Sequence, residues 1–196
     1  GELKRTDLLG VEMCVISPGI PLEAPFVAVL DEAKIPIWSE IQLAYQCAKG
    51  RLAAITGTNG KTTTTALTGE IMKAYYESVF VVGNIGIPYT QVAMETEDDS
   101  VTVAEVSSFQ LETLNSLCPH VGVVLNVTED HLNRHYNMEN YIFLKSKLLK
   151  NSTEAEYAVL NFDDGIVRGF AEKTKARIFY FSVRERVHGA YLENGT

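Results

Sequence analysis

Short apolar runs and longer mixed stretches alternate along the chain. "VEMCVIS" (11–17), "RLAAIT" (51–56), "VFVVG" (79–83), "SVTVAEV" (100–106), "VGVVLNV" (121–127), "YAVLN" (157–161) and "RIFYFS" (177–182) have the length and β-branched content of buried strands. Between them, the spacing predicts helices over about 23–33, 39–48, 62–75, from about 108, and over 139–150. In the third of these, Leu67, Ile71 and Ala74 recur at i, i+4 and i+7 and are the expected buried face. Apolar strands alternating with helices predict an α/β fold: a mostly parallel sheet covered by helices on both faces. "SPGIP" (17–21) ends the first strand in a turn, and "IPIW" precedes the second helix. A boundary near residue 47 is expected, with 1–46 the tail of one α/β unit and 47–196 a nucleotide-type α/β domain.

The 196 residues suffice for one domain with a core, or one domain and part of another. A net charge of −8 argues against nonspecific binding of nucleic acid or anionic lipid. No apolar run approaches the ~20 residues of a membrane helix, and no signal-peptide pattern opens the chain. Cys14, Cys47 and Cys118 are odd in number and widely spaced, and are expected as reduced core thiols of a cytosolic protein rather than as metal or redox groups. A monomer is expected. The chain starts without Met beside an apolar segment and stops at "YLENGT", which is the expectation for a fragment.

The polar residues that follow the strands carry the chemistry. Gly57-Thr58-Asn59-Gly60-Lys61-Thr62 follows the strand 51–56; Asn84 follows 79–83; Glu105 ends 100–106; Glu129, Asp130 and His131 follow 121–127. Open parallel sheets bind ligands at the carboxyl ends of their strands, so these residues are expected at one rim. Gly57 and Gly60 permit backbone angles that let successive N–H groups face phosphate oxygens at a helix N-terminus. Lys61 would neutralise the outer phosphates, and the Thr62 hydroxyl could ligate Mg²⁺. The loop is a variant, G-x2-G-K-T, with Ile55 where the usual G-x4-G-K-[ST] pattern has its first glycine. An ordinary glycine turn is the plainer reading, but four consecutive threonines are poor helix starters. Glu105 ends an apolar strand, where a metal ion would offset the cost of burying a carboxylate; the plainer reading is a strand-end Glu reaching solvent. At about 100° per residue, Lys145 falls within the apolar arc of the helix 139–150, whereas Lys147 and Lys150 fall opposite and face water. An inward lysine either pairs with a carboxylate or is neutral, reactive and able to add CO₂ as a carbamate.

"TGTNGKTT", "GNIGIP", "EVSSFQLE", "LNVTEDHLNRH" and "YIFLK", in this order, resemble the Mur ligases of peptidoglycan synthesis. "SSFQLE" resembles the members that add D-glutamate to UDP-N-acetylmuramoyl-L-alanine, and "SPGIP" the end of the family's Rossmann-like UDP-binding first domain. Asn133 stands where the family often has Asp. The resemblance implies that Lys61, Thr62 and the backbone of Gly57 to Thr63 hold the ATP phosphates. It implies that Thr62 and Glu105 help bind one Mg²⁺, that His131 and a carbamylated Lys145 serve a second, and that Ser17, Gly19, Asn84, Gln110 and His131 touch the UDP-muramoyl substrate. Lys61, Lys145 and His131 are then the catalytic candidates, in a reaction that phosphorylates a carboxylate and couples the acyl phosphate to an amine. The family's third domain and the later part of its central domain are not in this chain, so turnover by the chain alone is not expected. Another ligase of the superfamily, such as another muramyl ligase or a folylpolyglutamate-type synthetase, a kinase or GTPase, and a nucleotide-binding module without catalysis are the alternatives.

Overall fold

The computed structural model describes residues 3–84 and 86–193. In chain order, the first segment holds β1 (Cys14–Ile16), α1 (Pro25–Glu32), β2 (Ile37–Ser39) and α2 (Glu40–Cys47). Then follow β3 (Arg51–Thr56), α3 (Lys61–Lys73), β4 (Val79–Gly83), α4 (Tyr89–Val92), β5 (Val101–Glu105), α5 (Ser108–Glu112) and β6 (Val121–Val124). The last group is α6 (Leu132–His135), α7 (Met138–Ser146), β7 (Tyr157–Asn161), α8 (Gly165–Arg168), β8 (Arg177–Ser182) and β9 (Gly189–Tyr191). Helix starts fall where short polar side chains accept first-turn amides: Ser39 for α2, Ser107 for α5, Asn137 for α7 and Asp164 for α8.

β1 and β2 pair in a small parallel sheet. The other seven strands form one parallel sheet in the order β4-β5-β3-β6-β7-β8-β9. β3 connects outward to β4 on one side, and β6 to β7 on the other, so the order of strands reverses between the adjacent β3 and β6. That is where a crevice opens at the carboxyl ends of an open sheet. One face of the sheet builds the main core from Leu52, Ala54, Val82, Ala104, Val124 and Leu160. Helices cover it, with Tyr89, Leu111, Tyr141 and Phe170 packed inward. α2 belongs to this core, contributing Ile41 and Ala44, although its strand partner β2 lies in the small sheet. The opposite face holds a smaller cluster of Ile55, Val101 and Val103, against which Met72 and Tyr76 pack.

The expected inner face of α3 is reversed. Leu67 and Ile71 are each 59% exposed, while Thr65 and Gly69 are buried, and Ala74 lies just past the helix end. The cause is close packing: a Cβ on Gly69 would run into the Val81 side chain, so a small residue brings the helix onto the sheet. The cysteines depart from expectation too. Cys47 is exposed, and Cys14 and Cys118 are half-buried rather than in the core; all three are free. The expected strand 121–127 ends at Val124: the Leu125 N–H still donates to the Thr56 carbonyl, but Asn126 bonds the glycine loop instead of a strand. No described helix is long and apolar enough to cross a membrane.

Candidate functional site: one rim of the parallel sheet

The glycine loop follows β3. Gly60 caps α3 in the left-handed region, at φ +81°. Gly57 lies at φ +157°, with an added Cβ meeting Leu125 at 3.0 Å. The loop is laced to the chain after β6. The Thr58 N–H donates to the Asn126 carbonyl at 2.9 Å, and the Asn59 N–H to Asn126 Oδ1 at 2.8 Å. Thr58 Oγ1 donates to the Thr128 carbonyl at 3.1 Å and lies 3.2 Å from the Tyr141 hydroxyl. The cradle is therefore narrower than the sequence suggested. The Thr58 and Asn59 amides are already committed, whereas Lys61, Thr62 and Thr63, as the first turn of α3, have no intrahelical acceptor. Lys61 Nζ folds back onto the Thr58 carbonyl at 2.9 Å.

Glu105, at the end of central strand β5, is 1% exposed. Its carboxylate accepts from Thr62 Oγ1 and from Asn84 Nδ2, both at 2.9 Å. The solvent-exposed alternative is thus overturned. Gly83 makes this approach possible: at φ +111°, a Cβ there would strike the Glu105 backbone. Both donors are neutral, and a buried carboxylate held, among the described residues, by neutral donors fits an added divalent cation. Among the described residues, no group of three or more His, Cys, Asp or Glu is placed to hold a metal ion. Any cation site here must draw on the Thr62 hydroxyl, one carboxylate and ligand oxygens, which suits an ion that binds through few protein carboxylates and substrate phosphates.

Lys145 is also 1% exposed, as its position on the helix predicted. Nζ donates to the Gly57 carbonyl at 2.9 Å, contacts Thr56 Oγ1 at 3.5 Å, and sits 4.7 Å from the Tyr141 ring centroid. Among the described residues it is in no ion pair. Burial, with Lys61 adding to it and Asp130 opposing, lowers its pKa from 10.5 to about 7. Lys147 does not face water as expected: it is half-buried, donates to the Glu112 carbonyl at 2.7 Å, and its pKa falls to about 8 through burial. The reason is reach: its long side chain crosses to the carbonyl of Glu112, the last residue of α5, instead of extending into solvent.

Lys61, Asn84, Asp130, His131 and Lys145 line one cavity of about 90 Å³, with Ser107, Ser108, Phe109 and Tyr141. His131 is half-exposed, Nε2 lying 3.4 Å from Asp130 Oδ2 and the ring 5.0 Å from that of Phe109. Glu129 is exposed and outside this lining. A second cavity, of about 420 Å³, is lined by Ser17, Asn84 and Gln110 together with Glu40 and Pro88. Asn84 is common to both, so the cavities share a wall. Gly19 is absent from both linings; it sits inside the turn closed by the Ile20 N–H on the Ser17 carbonyl at 3.0 Å. Gln110 has a second role: its Oε1 accepts from the Ser107 N–H and hydroxyl at 3.0 Å, fixing the start of α5. Sequence reasoning missed Asn126 and Tyr141. A polar Asn at the end of an apolar strand was a legible signal; Tyr141 looked like any core aromatic.

The family model for the Mur ligase middle domain matches residues 55–194. The UDP-N-acetylmuramoylalanine--D-glutamate ligase of Lachnoclostridium phytofermentans is 54% identical over 93% of this chain. The ligase of the same name from Lachnospira eligens is 50% identical over 98%. The chain spans only 40% and 43% of the length of these two relatives. Among solved structures, the UDP-N-acetylmuramate:L-alanyl-gamma-D-glutamyl-meso-diaminopimelate ligase from Neisseria meningitides aligns with a TM-score of 0.62 at 14% identity, over 92% of this chain and 62% of that one, a likeness of fold. With the family model covering most of the sequence and a matching parallel sheet, the chain belongs to the Mur ligase family and carries its middle domain.

Proposed function

We propose that this chain is the nucleotide-handling part of a ligase that uses ATP to join D-glutamate to UDP-N-acetylmuramoyl-L-alanine, in the cytoplasm, during peptidoglycan precursor synthesis. The observation that carries it is the shared wall. Lys61, His131 and Lys145 surround the small cavity, and Asn84 joins it to the larger one lined by Ser17 and Gln110. A phosphoryl donor and a carboxylate-bearing nucleotide sugar would meet there. Residues 1–46 are proposed as the end of the UDP-substrate unit and 47–196 as the ATP-binding unit.

The first-turn amides of α3 and Lys61 would hold the phosphates. Lys61 would leave the Thr58 carbonyl for the outer phosphate, so its positive charge offsets the repulsion between triphosphate and carboxylate. Thr62 and Glu105 are the residues that would hold Mg²⁺, which supplies charge neutralisation on the transferring phosphoryl group. His131 and Lys145 are proposed for a second ion. The lowered pKa of Lys145 supports the carbamate: a neutral amine adds CO₂ and releases one proton, exchanging a buried cation for an anionic oxygen ligand. Phosphorylation gives the substrate carboxylate a leaving group, the amine of D-glutamate attacks the acyl phosphate, and phosphate departs.

The test is an assay of the full-length protein with ATP, UDP-N-acetylmuramoyl-L-alanine and a panel of amino acids. ADP release dependent on D-glutamate is the expected result. Preference for another amino acid would assign the protein to a different ligase of the family, and ATP binding without ADP release would reduce it to a binding module.

A further inference from the structure

We propose that Arg134 is a positioning residue: through the single helical turn α6 it ties the N-terminal segment to His131, so that the two cavities respond to each other. The inference rests on the ligase reading above.

α6 is bracketed by two non-glycine residues at positive φ, His131 at +51° and Tyr136 at +67°. Among the described residues Lys34 is the one other such case. Conformations of this kind persist where the surroundings over-determine them. Here the turn closes on the His131 carbonyl, which accepts from the Arg134 and His135 N–H groups at 2.9 and 3.0 Å; the Tyr136 N–H donates to the Leu132 carbonyl at 2.8 Å. The block is thus stiff from His131 to Tyr136.

Arg134 extends from its middle. Nε and one terminal nitrogen grip the Glu112 carboxylate at 3.1 and 2.6 Å, and that nitrogen also donates to the Ile20 carbonyl at 2.9 Å. Ile20 closes the turn that carries Ser17, a wall residue of the larger cavity. Tyr136 adds a second tie, its hydroxyl donating to Glu23 at 2.8 Å. On the other side His135, buried, lies 2.9 Å from Ser108 Oγ and stacks on Tyr141, whose hydroxyl meets Thr58 of the glycine loop. One stiff turn therefore touches the wall of the larger cavity, the imidazole of the smaller one and the support of the nucleotide loop. A half-buried ion pair is weak evidence for stability, since apolar residues could fill the same space. What a forked guanidinium supplies is fixed orientation. A shift of the Ser17 turn is thereby transmitted to His131.

The experiment is calorimetry on the full-length enzyme with UDP-N-acetylmuramoyl-L-alanine and a non-hydrolysable ATP analogue, each titrated with and without the other. In the wild type each ligand tightens the other by about 5-fold or more. Arg134→Ala brings that factor toward one while leaving the affinity for the analogue alone within about 2-fold. Tyr136→Gly does the same without lowering the melting temperature, since glycine accepts the +67° angle; a merely structural role would leave the coupling intact in this variant. Unchanged coupling in the variants that fold, or a wild type that binds both ligands independently, overturns the proposal. A wild type that does not bind the muramoyl nucleotide at all overturns the ligase reading, and this inference with it.

Discussion

Lys61→Ala in the full-length enzyme lowers ATP-dependent turnover by about 10²–10³-fold, the usual cost of removing one preorganised charge from a transferring group. The fold survives. Lys61 is half-buried and, among the described residues, its side chain makes one bond, to the carbonyl of a residue three positions earlier, so little packing is lost. Turnover is read by ADP release and the fold by urea denaturation. If turnover stays at the wild-type level while the midpoint is unchanged, the glycine loop is not the phosphate cradle.

The second large effect is at Lys145. Lys145→Ala loses about 10²-fold or more of activity. Formate or acetate restores part of it, because removing the side chain frees space beside the Gly57 carbonyl that a small carboxylate can occupy. Lys145→Met keeps the volume, loses the same activity, and is not rescued. Full activity in either variant would remove the carbamate from the account.

The same residue sets a pH signature. Its folded-state pKa is about 7 against an ordinary 10.5, so between those values the unfolded chain binds the extra proton. The contribution of this group to stability therefore rises with pH from about 7 to 10.5, and below 7 the cost of burying the charge is felt in full. Lys147, at about 8, acts in the same direction over a narrower range. Denaturation of Lys145→Met across pH 6 to 10 should show a flatter profile than the wild type, because most of that range lies in the window where the wild-type lysine is neutral only when folded. Activity should also rise through about pH 7 and with added bicarbonate, because only the neutral amine adds CO₂.

Much of this was legible in the sequence, for identifiable reasons. The strands announced themselves as apolar runs between helices, and the parallel order put Asn84, Glu105 and the loop after Thr56 at one rim. Lys145 was legible because nine residues of regular helix fix its angular position. Other features depended on contacts that periodicity does not encode. The inner face of α3 is set by Gly69 against Val81, a steric fit that favours the smallest residue over Leu67 and Ile71. Lys147 turned inward because its long side chain reaches a carbonyl at the end of α5, a contact between helices. α6 has four residues, too few for a period to register, and its meaning lies in backbone angles at either end. The commitment of the Thr58 and Asn59 amides to Asn126 arises from adjacency of β3 and β6, which no local pattern records.

Phosphate, carboxylate and cation chemistry are proposed to meet at the cavity bounded by Lys61, Asn84, His131 and Lys145. A crystal structure of the full-length protein with Mg²⁺ and a non-hydrolysable ATP analogue tests this most directly. The expected result is the triphosphate on the first-turn amides of α3, Lys61 Nζ moved from the Thr58 carbonyl to the outer phosphate, an ion beside Thr62 and Glu105, and added density on Lys145 Nζ. A nucleotide bound away from this rim, with Lys61 still on Thr58, would contradict it.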